Sequence, residues 1–292
     1  MLNNDDIPSF LTPEILEEYL KNKTNHHNLN IYYDDLGNLI VHKNGRGKKI
    51  VIAIPINIEE LFVTNVDENR IYFNLKDNLN KENVIDSYVI TKDNVVGVIK
   101  KENSSEFIET FCKTDHKKGD SYQILSTNHC KCNKLYGRNS KLYISLKIAI
   151  ELLNFNYICD NQIYFTLYFC EESVRTFINK GEYNYIFTLK YGITENDFKL
   201  SEGCGIVYKD GNALISREVL DICEHASCNN INQPYFNSKK SILDSFVVIA
   251  KNAKLGSLCI PIKYMNSKCE IADFTDINSA IEILKKIIEQ VR

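Results

Sequence analysis

Glu171 and Glu172 stand side by side at the end of the run Ile163–Glu172, where mostly apolar, β-branched or aromatic residues and one cysteine lead into two carboxylates. Such a run is too short for a comfortable helix and too apolar for a surface loop, so it reads as a strand buried on both faces of a mixed or parallel sheet. Strands of that kind carry function where the chain leaves their carboxyl ends. Two acids placed there are costly unless something uses or pairs them. The plainer reading is a solvated loop in which the pair neutralises Arg175. A second candidate is His129-Cys130-Lys131-Cys132, which has metal-ligand types but no second pair at finger-like spacing. His225, with Cys223 and Cys228 nearby, reads as a helix-surface histidine.

The elements that would position these groups follow from pattern. Pro13–Lys23 reads as a helix with Thr12 as N-cap, Pro13 in the first turn and Glu14 favoured by the helix dipole. Residues 29–33 and 39–42 form a hairpin, and 50–58 is a nearly continuous apolar, hence central, strand. Shorter strands are expected at 59–66, 70–75, 87–91, 95–100 and 122–125, among Lys, Asp, Asn and Gly turns. Helical periodicity returns at 141–154, with Leu142, Leu146, Ile150 and Leu153 on one stripe. Beyond it come a helix near 174–180, a strand at 185–191, an edge strand at 203–208 closed by the turn Lys209-Asp210-Gly211, and a helix at 216–227. Strands at 246–250 and 257–262 and a final amphipathic helix at 276–292 complete the pattern. Strand–helix alternation interrupted by short strands gives a three-layer α/β domain, residues 1–66 and 136–292, with an inserted β-barrel-like domain, residues 67–135.

At 292 residues the chain suffices for one large or two unequal domains, and its 44% hydrophobic and 25% charged residues are ordinary for a globular protein. A net charge of −3 with no basic tract argues against nucleic acid. No apolar run is long enough for a membrane span, and the N-terminus lacks the pattern of a signal peptide. A cytoplasmic location is therefore expected, with the ten cysteines reduced and those in apolar stretches (Cys159, Cys170, Cys259) acting as small hydrophobes.

The order of segments resembles the tetrahedral aminopeptidases, which include glutamyl and deblocking aminopeptidases. Asp35-Leu36-Gly37-Asn38-Leu39-Ile40, Val95–Ile99, Lys118-Gly119-Asp120, Phe165–Glu172, Lys199-Leu200 with Gly203 and Asp210-Gly211, and Ile260–Met265 carry the likeness, which spans nearly the whole chain. It implies a metallopeptidase-like fold, a cytosolic exopeptidase using two divalent metals (zinc or cobalt), and assembly into dimers and larger shells. Carried across, Glu171 stands where the general base would be and Glu172 where a metal ligand would be. The other family positions are substituted. A ligand His and its orienting Asp are replaced by Pro55 and Asn57, a ligand Asp by Lys190 and a ligand His by Asn266, and the stretch Lys141–Ser145 offers no bridging acid. Zinc needs three or more His, Cys or carboxylate ligands, so no bound metal is expected. None of the six histidines supplies a ligand by local spacing.

The resulting expectation is a catalytically degenerate homologue with a structural, regulatory or ligand-binding role. It would act as a homo-oligomer, as a hetero-oligomer with an active paralogue, or as a peptide binder. The alternative is an active aminopeptidase with displaced ligands. Lys190 is expected to replace the metals by pairing with Glu171 or Glu172, failing which one of the two carboxyls is expected to be held protonated.

Overall fold

The computed structural model describes all residues except 1–6, 26–28, 68–69, 76–80, 104, 112–114, 196, 228–231, 238, 240, 251 and 292. His26, His27 and Cys228 therefore lie outside the described residues. The chain begins with α1 (Pro13–Lys23), β1 (Asn30–Tyr33), β2 (Leu39–Lys43) and β3 (Lys49–Pro55). The next elements are β4 (Glu60–Asp67), β5 (Arg70–Leu75), α2 (Lys81–Val84), β6 (Tyr88–Ile90), β7 (Val96–Glu102), β8 (Ser105–Thr110) and β9 (Ser121–Ile124). A hairpin of β10 (Thr127–Lys131) and β11 (Lys134–Arg138) precedes α3 (Ser140–Leu153), β12 (Gln162–Tyr168), α4 (Glu171–Lys180) and β13 (Tyr185–Ile193). The remainder is β14 (Cys204–Asp210), β15 (Ala213–Leu214), α5 (Arg217–Ala226), β16 (Asn232–Asn237), α6 (Ile242–Ile249), β17 (Lys254–Ile262), β18 (Glu270–Asp273) and α7 (Phe274–Gln290).

The large sheet runs β1-β2-β12-β3-β13-β17-β14-β15, with β16 on β14. Its centre, β12-β3-β13-β17, is parallel throughout. These strands are apolar on both faces, as strands covered by helices on both sides must be. Tyr191 meets α3 through its hydroxyl, while Lys190, its neighbour, lies near Glu171 of α4, so the alternation along β13 separates the two helix layers. Helices α3, α5 and α7 pack together, and so do α4 and α6. The expected three-layer α/β architecture is present.

Strands β4-β5-β8-β7-β6-β9 close a barrel around Leu61, Val63, Ile99, Ile108 and Tyr122. The expected boundary at 67–135 shifts. β4, assigned by pattern to the outer domain, is a barrel strand, because its alternating buried residues Leu61 and Val63 serve the barrel core. β10 and β11 lie beyond the barrel in a three-stranded sheet with β18.

Two further expectations change. Residues 246–250 are not a strand: Ser241 and Asp244 form a capping box that starts α6, and this local signal outweighs the β-branched run Val247-Val248. β14 is not an edge, since β16 pairs along one side and β17 and β15 along the other. The Thr12 and Ser216 caps of α1 and α5 are as expected.

The loop leading into β14 is tied to the start of α7 by two buried carboxylates, Asp273, which accepts the Ser201 hydroxyl at 2.5 Å, and Asp276. Asp276 accepts the amides of Ser201 (3.0 Å) and Gly203 (2.7 Å). Burial raises its pKa to about 7, against the lowering effect of those two N–H bonds. A folded-state pKa above the unfolded value of about 3.9 means that the folded chain holds this proton more tightly. The associated stability is complete below about pH 4 and lost as pH rises towards 7. Between pH 5 and pH 8 the wild type should therefore lose about 2–3 kcal/mol relative to Asp276→Asn, measured by denaturant unfolding at both pH values. A constant difference between the two proteins would refute it.

Candidate functional site

All four parallel central strands end on the same side of the sheet, and the residues singled out from sequence gather there. Pro55 closes β3 and pairs with Tyr168 at the end of β12. Asn57 follows, half-buried. Asn266 lies just past β17, in a left-handed turn (φ 65°).

Glu171 and Glu172 do not end the strand or enter a loop. They form the first turn of α4, whose N-cap is Cys170. The favourable helix dipole explains why a carboxylate pair is tolerated there. The pair is electrically split. Burial of its carboxyl, and then Glu172 beside it, raise the pKa of Glu171; Arg175 and Lys190 oppose this. Glu172 is lowered, chiefly because the Cys170 thiol donates to its Oε2 at 2.7 Å. Cys170 is thus exposed, unlike the buried Cys259.

Lys190 does not bond either glutamate. Its ammonium pairs with Asp210, which is fully buried and also accepts from Asn237 Nδ2 at 2.6 Å. The second oxygen of Asp210 has no partner among the described residues. From sequence Asp210 is a turn residue and part of a resemblance segment, with no ion-pair partner expected. It closes β14 after a register irregularity between Val207 and Lys209, a distortion that no local spacing announces. Lys190 remains close enough to Glu171 to lower its pKa, so the three charges share one neighbourhood.

Across the sheet a second polar cluster fills the corresponding space. Ser145 Oγ bonds the Pro55 carbonyl and the Tyr191 hydroxyl (2.5 Å for the latter), and the hydroxyl also donates to the Lys141 carbonyl at 3.0 Å. Lys141 Nζ donates to Asn266 Oδ1 at 2.6 Å. Glu270, fully buried, accepts the amides of Asn266 and Ser140 at 2.7 Å each. Lysine ammonium groups thus serve both faces of the strand ends.

Two divalent ions require several convergent His, Cys or carboxylate donors. Pro55, Asn57, Lys190 and Asn266 do not fit that requirement, and the described residues contain no cluster of three or more such donors. The remaining histidines are engaged elsewhere. His42 stacks on Tyr164, His116 lies 3.1 Å from the Tyr122 hydroxyl, and His225 is exposed on α5. The half-site His129–Cys132 runs from β10 into its turn, with both cysteines exposed.

A cavity of about 580 Å³ adjoins the Lys190 cluster, lined by Phe198, Tyr235, Phe236, Met265 and Lys190 among others. Its size is that of a small-molecule site.

No family model matches the sequence. The Pyrococcus horikoshii TET1 peptidase, which can assemble into a tetrahedron or a large octahedral shell, superposes with a TM-score of 0.84 over 98% of this chain and 97% of its own, at 16% identity. The chain has the tetrahedral aminopeptidase fold. Aminopeptidase APDkam598 from the archaeon Desulfurococcus kamchatkensis shows the same fold, with a TM-score of 0.82 over 96% of this chain and 89% of its own, at 15% identity. In sequence, a protein of Acetivibrio thermocellus named "Putative aminopeptidase" is 24% identical over 88% of each chain. The architecture of this aminopeptidase-like chain therefore agrees with the resemblance carried by its segments, while its strand ends present lysines and amides.

Proposed function

We propose that this aminopeptidase-like protein is a catalytically degenerate homologue in which hydrogen-bonded lysines occupy the place of a di-metal centre. The observation that carries this reading is the Lys190–Asp210 ion pair at the strand ends. An ammonium there repels a divalent cation and occupies the nearest buried carboxylate. Without a metal, Glu171 has no acidified water to deprotonate.

The role that remains is structural, regulatory or ligand-binding. The tetrahedral and octahedral assemblies of the Pyrococcus horikoshii TET1 peptidase support a homo-oligomer, or a hetero-oligomer with an active paralogue. The aromatic-lined cavity beside Lys190 supports binding of a peptide or small ligand. No described helix is long and apolar enough to cross a membrane, in keeping with a cytoplasmic protein. The competing reading is an active aminopeptidase with displaced ligands.

Elemental analysis of protein prepared with added zinc or cobalt, together with assays on aminoacyl substrates, separates the two. Neither stoichiometric metal nor peptidase activity is expected. About two ions per chain, lost on Glu172→Ala, would establish the active reading instead.

A further inference from the structure

The cavity of about 580 Å³ beside Lys190 carries charged groups of opposite sign at its two ends. β16 runs between them. At the start of β16, Gln233 holds the segment that follows β13: Lys199 N donates to Gln233 Oε1 at 2.9 Å, and Gln233 Nε2 donates to Lys199 O at 2.7 Å. That segment folds back through the Glu195–Phe198 bridge, and its exposed Glu195 and Asp197 line the cavity. At the end of β16, Asn237 Nδ2 donates to Asp210 Oδ1 at 2.6 Å and to the Lys239 carbonyl at 3.0 Å, and Lys239 N donates back to Asn237 Oδ1 at 3.1 Å. The exposed Lys239 is thereby fixed beside the Lys190–Asp210 pair, and both lysines line the cavity.

Aromatic rings lie between the two ends. Phe198 packs against Tyr235 with centroids 4.6 Å apart, and Phe236, 66% exposed, stacks on Tyr208. Tyr235 feels both ends: burial first, then Cys259, Asp210 and Glu195, raise the pKa of its phenol. The four steps of strand from Gln233 to Asn237 cover about 13 Å, so the charged ends stand on the order of 10 Å apart.

Extending the ligand-binding reading above, on which it rests, we infer that this cavity binds a linear zwitterion with its ammonium group beside Glu195 and Asp197, its carboxylate beside Lys239 and Lys190, and its apolar middle over Tyr235 and Phe236. Asp210 neutralises Lys190, so Lys239 supplies the net positive charge at its end. An anion alone gains only at the lysine end and a cation alone only at the acidic end, whereas opposite charges held at this spacing gain at both. The apolar middle takes ring surface out of water.

8-Aminooctanoate, whose charged groups stand roughly 10 Å apart when extended, is the probe, with octanoate and octylamine as its single-charge analogues. In NMR titrations of the full-length chain the zwitterion should bind about fivefold more tightly than either analogue. The margin should shrink in about 1 M salt, because the groups that create it are exposed. Lys239→Glu should weaken binding of the zwitterion and of octanoate and spare octylamine. Glu195→Gln combined with Asp197→Asn should weaken binding of the zwitterion and of octylamine and spare octanoate. Octanoate or octylamine binding as tightly as the zwitterion would overturn the inference while leaving the cavity a ligand site. Binding of none of the three up to their solubility would overturn it together with a ligand role for this cavity. An unchanged ranking of the three in both variants would place them elsewhere on the protein and overturn it as well.

Discussion

Lys190→Met is expected to destabilise the protein by about 3–5 kcal/mol, because it leaves the Asp210 carboxylate buried without its cation. Asn237 Nδ2 would remain on one oxygen, and the other already lacks a donor among the described residues. One neutral hydrogen bond does not offset the desolvation of a charge. Lys180→Met is the control. Lys180 pairs with Asp35 at 3.4 Å on the surface, with side chains 60% and 92% exposed, so its loss should change stability by less than about 1 kcal/mol. Urea unfolding of both variants measures the difference. Combining Lys190→Met with Asp210→Asn should recover much of the loss, whereas combining it with Glu171→Gln should not. That contrast separates the observed pair from the one expected between Lys190 and the glutamates. Equal effects of the two lysine changes would remove Lys190 from any role in replacing the metals.

The placement of Lys190 also marks where sequence reasoning held and where it stopped. Apolar runs and caps are local, so β3, β12, β13, β17 and the cap of α1 were legible to within a few residues. Because the central strands are parallel, their ends had to lie together, and Pro55, Asn57, Glu171, Lys190 and Asn266 were brought to one region. The partners of these residues were not legible. Asp210 reaches Lys190 from β14, on the far side of β17. Glu270 reaches Ser140 across 130 positions of chain. Such pairings depend on a register irregularity and on a left-handed turn at Asn266, neither of which leaves a periodic signature. The barrel boundary failed for a related reason. The short amphipathic strand β4 alternates alike whether it faces the barrel or the large sheet, and only closure with β9 decides.

The two chain crossings between the large sheet and the barrel hold the other high-cost ion pair. Glu59 lies just before β4 and Arg138 ends β11, and Arg138 Nε donates to Glu59 Oε2 at 2.7 Å with side chains 4% and 7% exposed. Arg138 Nη1 also donates to the Asn83 carbonyl (2.6 Å) and Ser87 Oγ (3.2 Å), so a single guanidinium ties the exit strand to the entry crossing and to the start of β6. Arg138→Met should strand the Glu59 carboxylate and cost about 3–5 kcal/mol. Because the partners Asn83 and Ser87 belong to the barrel, the loss should fall unevenly. Amide hydrogen exchange should accelerate first in β6 and β9, while β3 and β13 keep most of their protection. Arg138→Met with Glu59→Gln should be less destabilised than Arg138→Met alone, since no buried charge is left behind. If exchange instead accelerates equally in β13 and β6, the pair supports the whole fold as one unit and does not fasten the barrel to it.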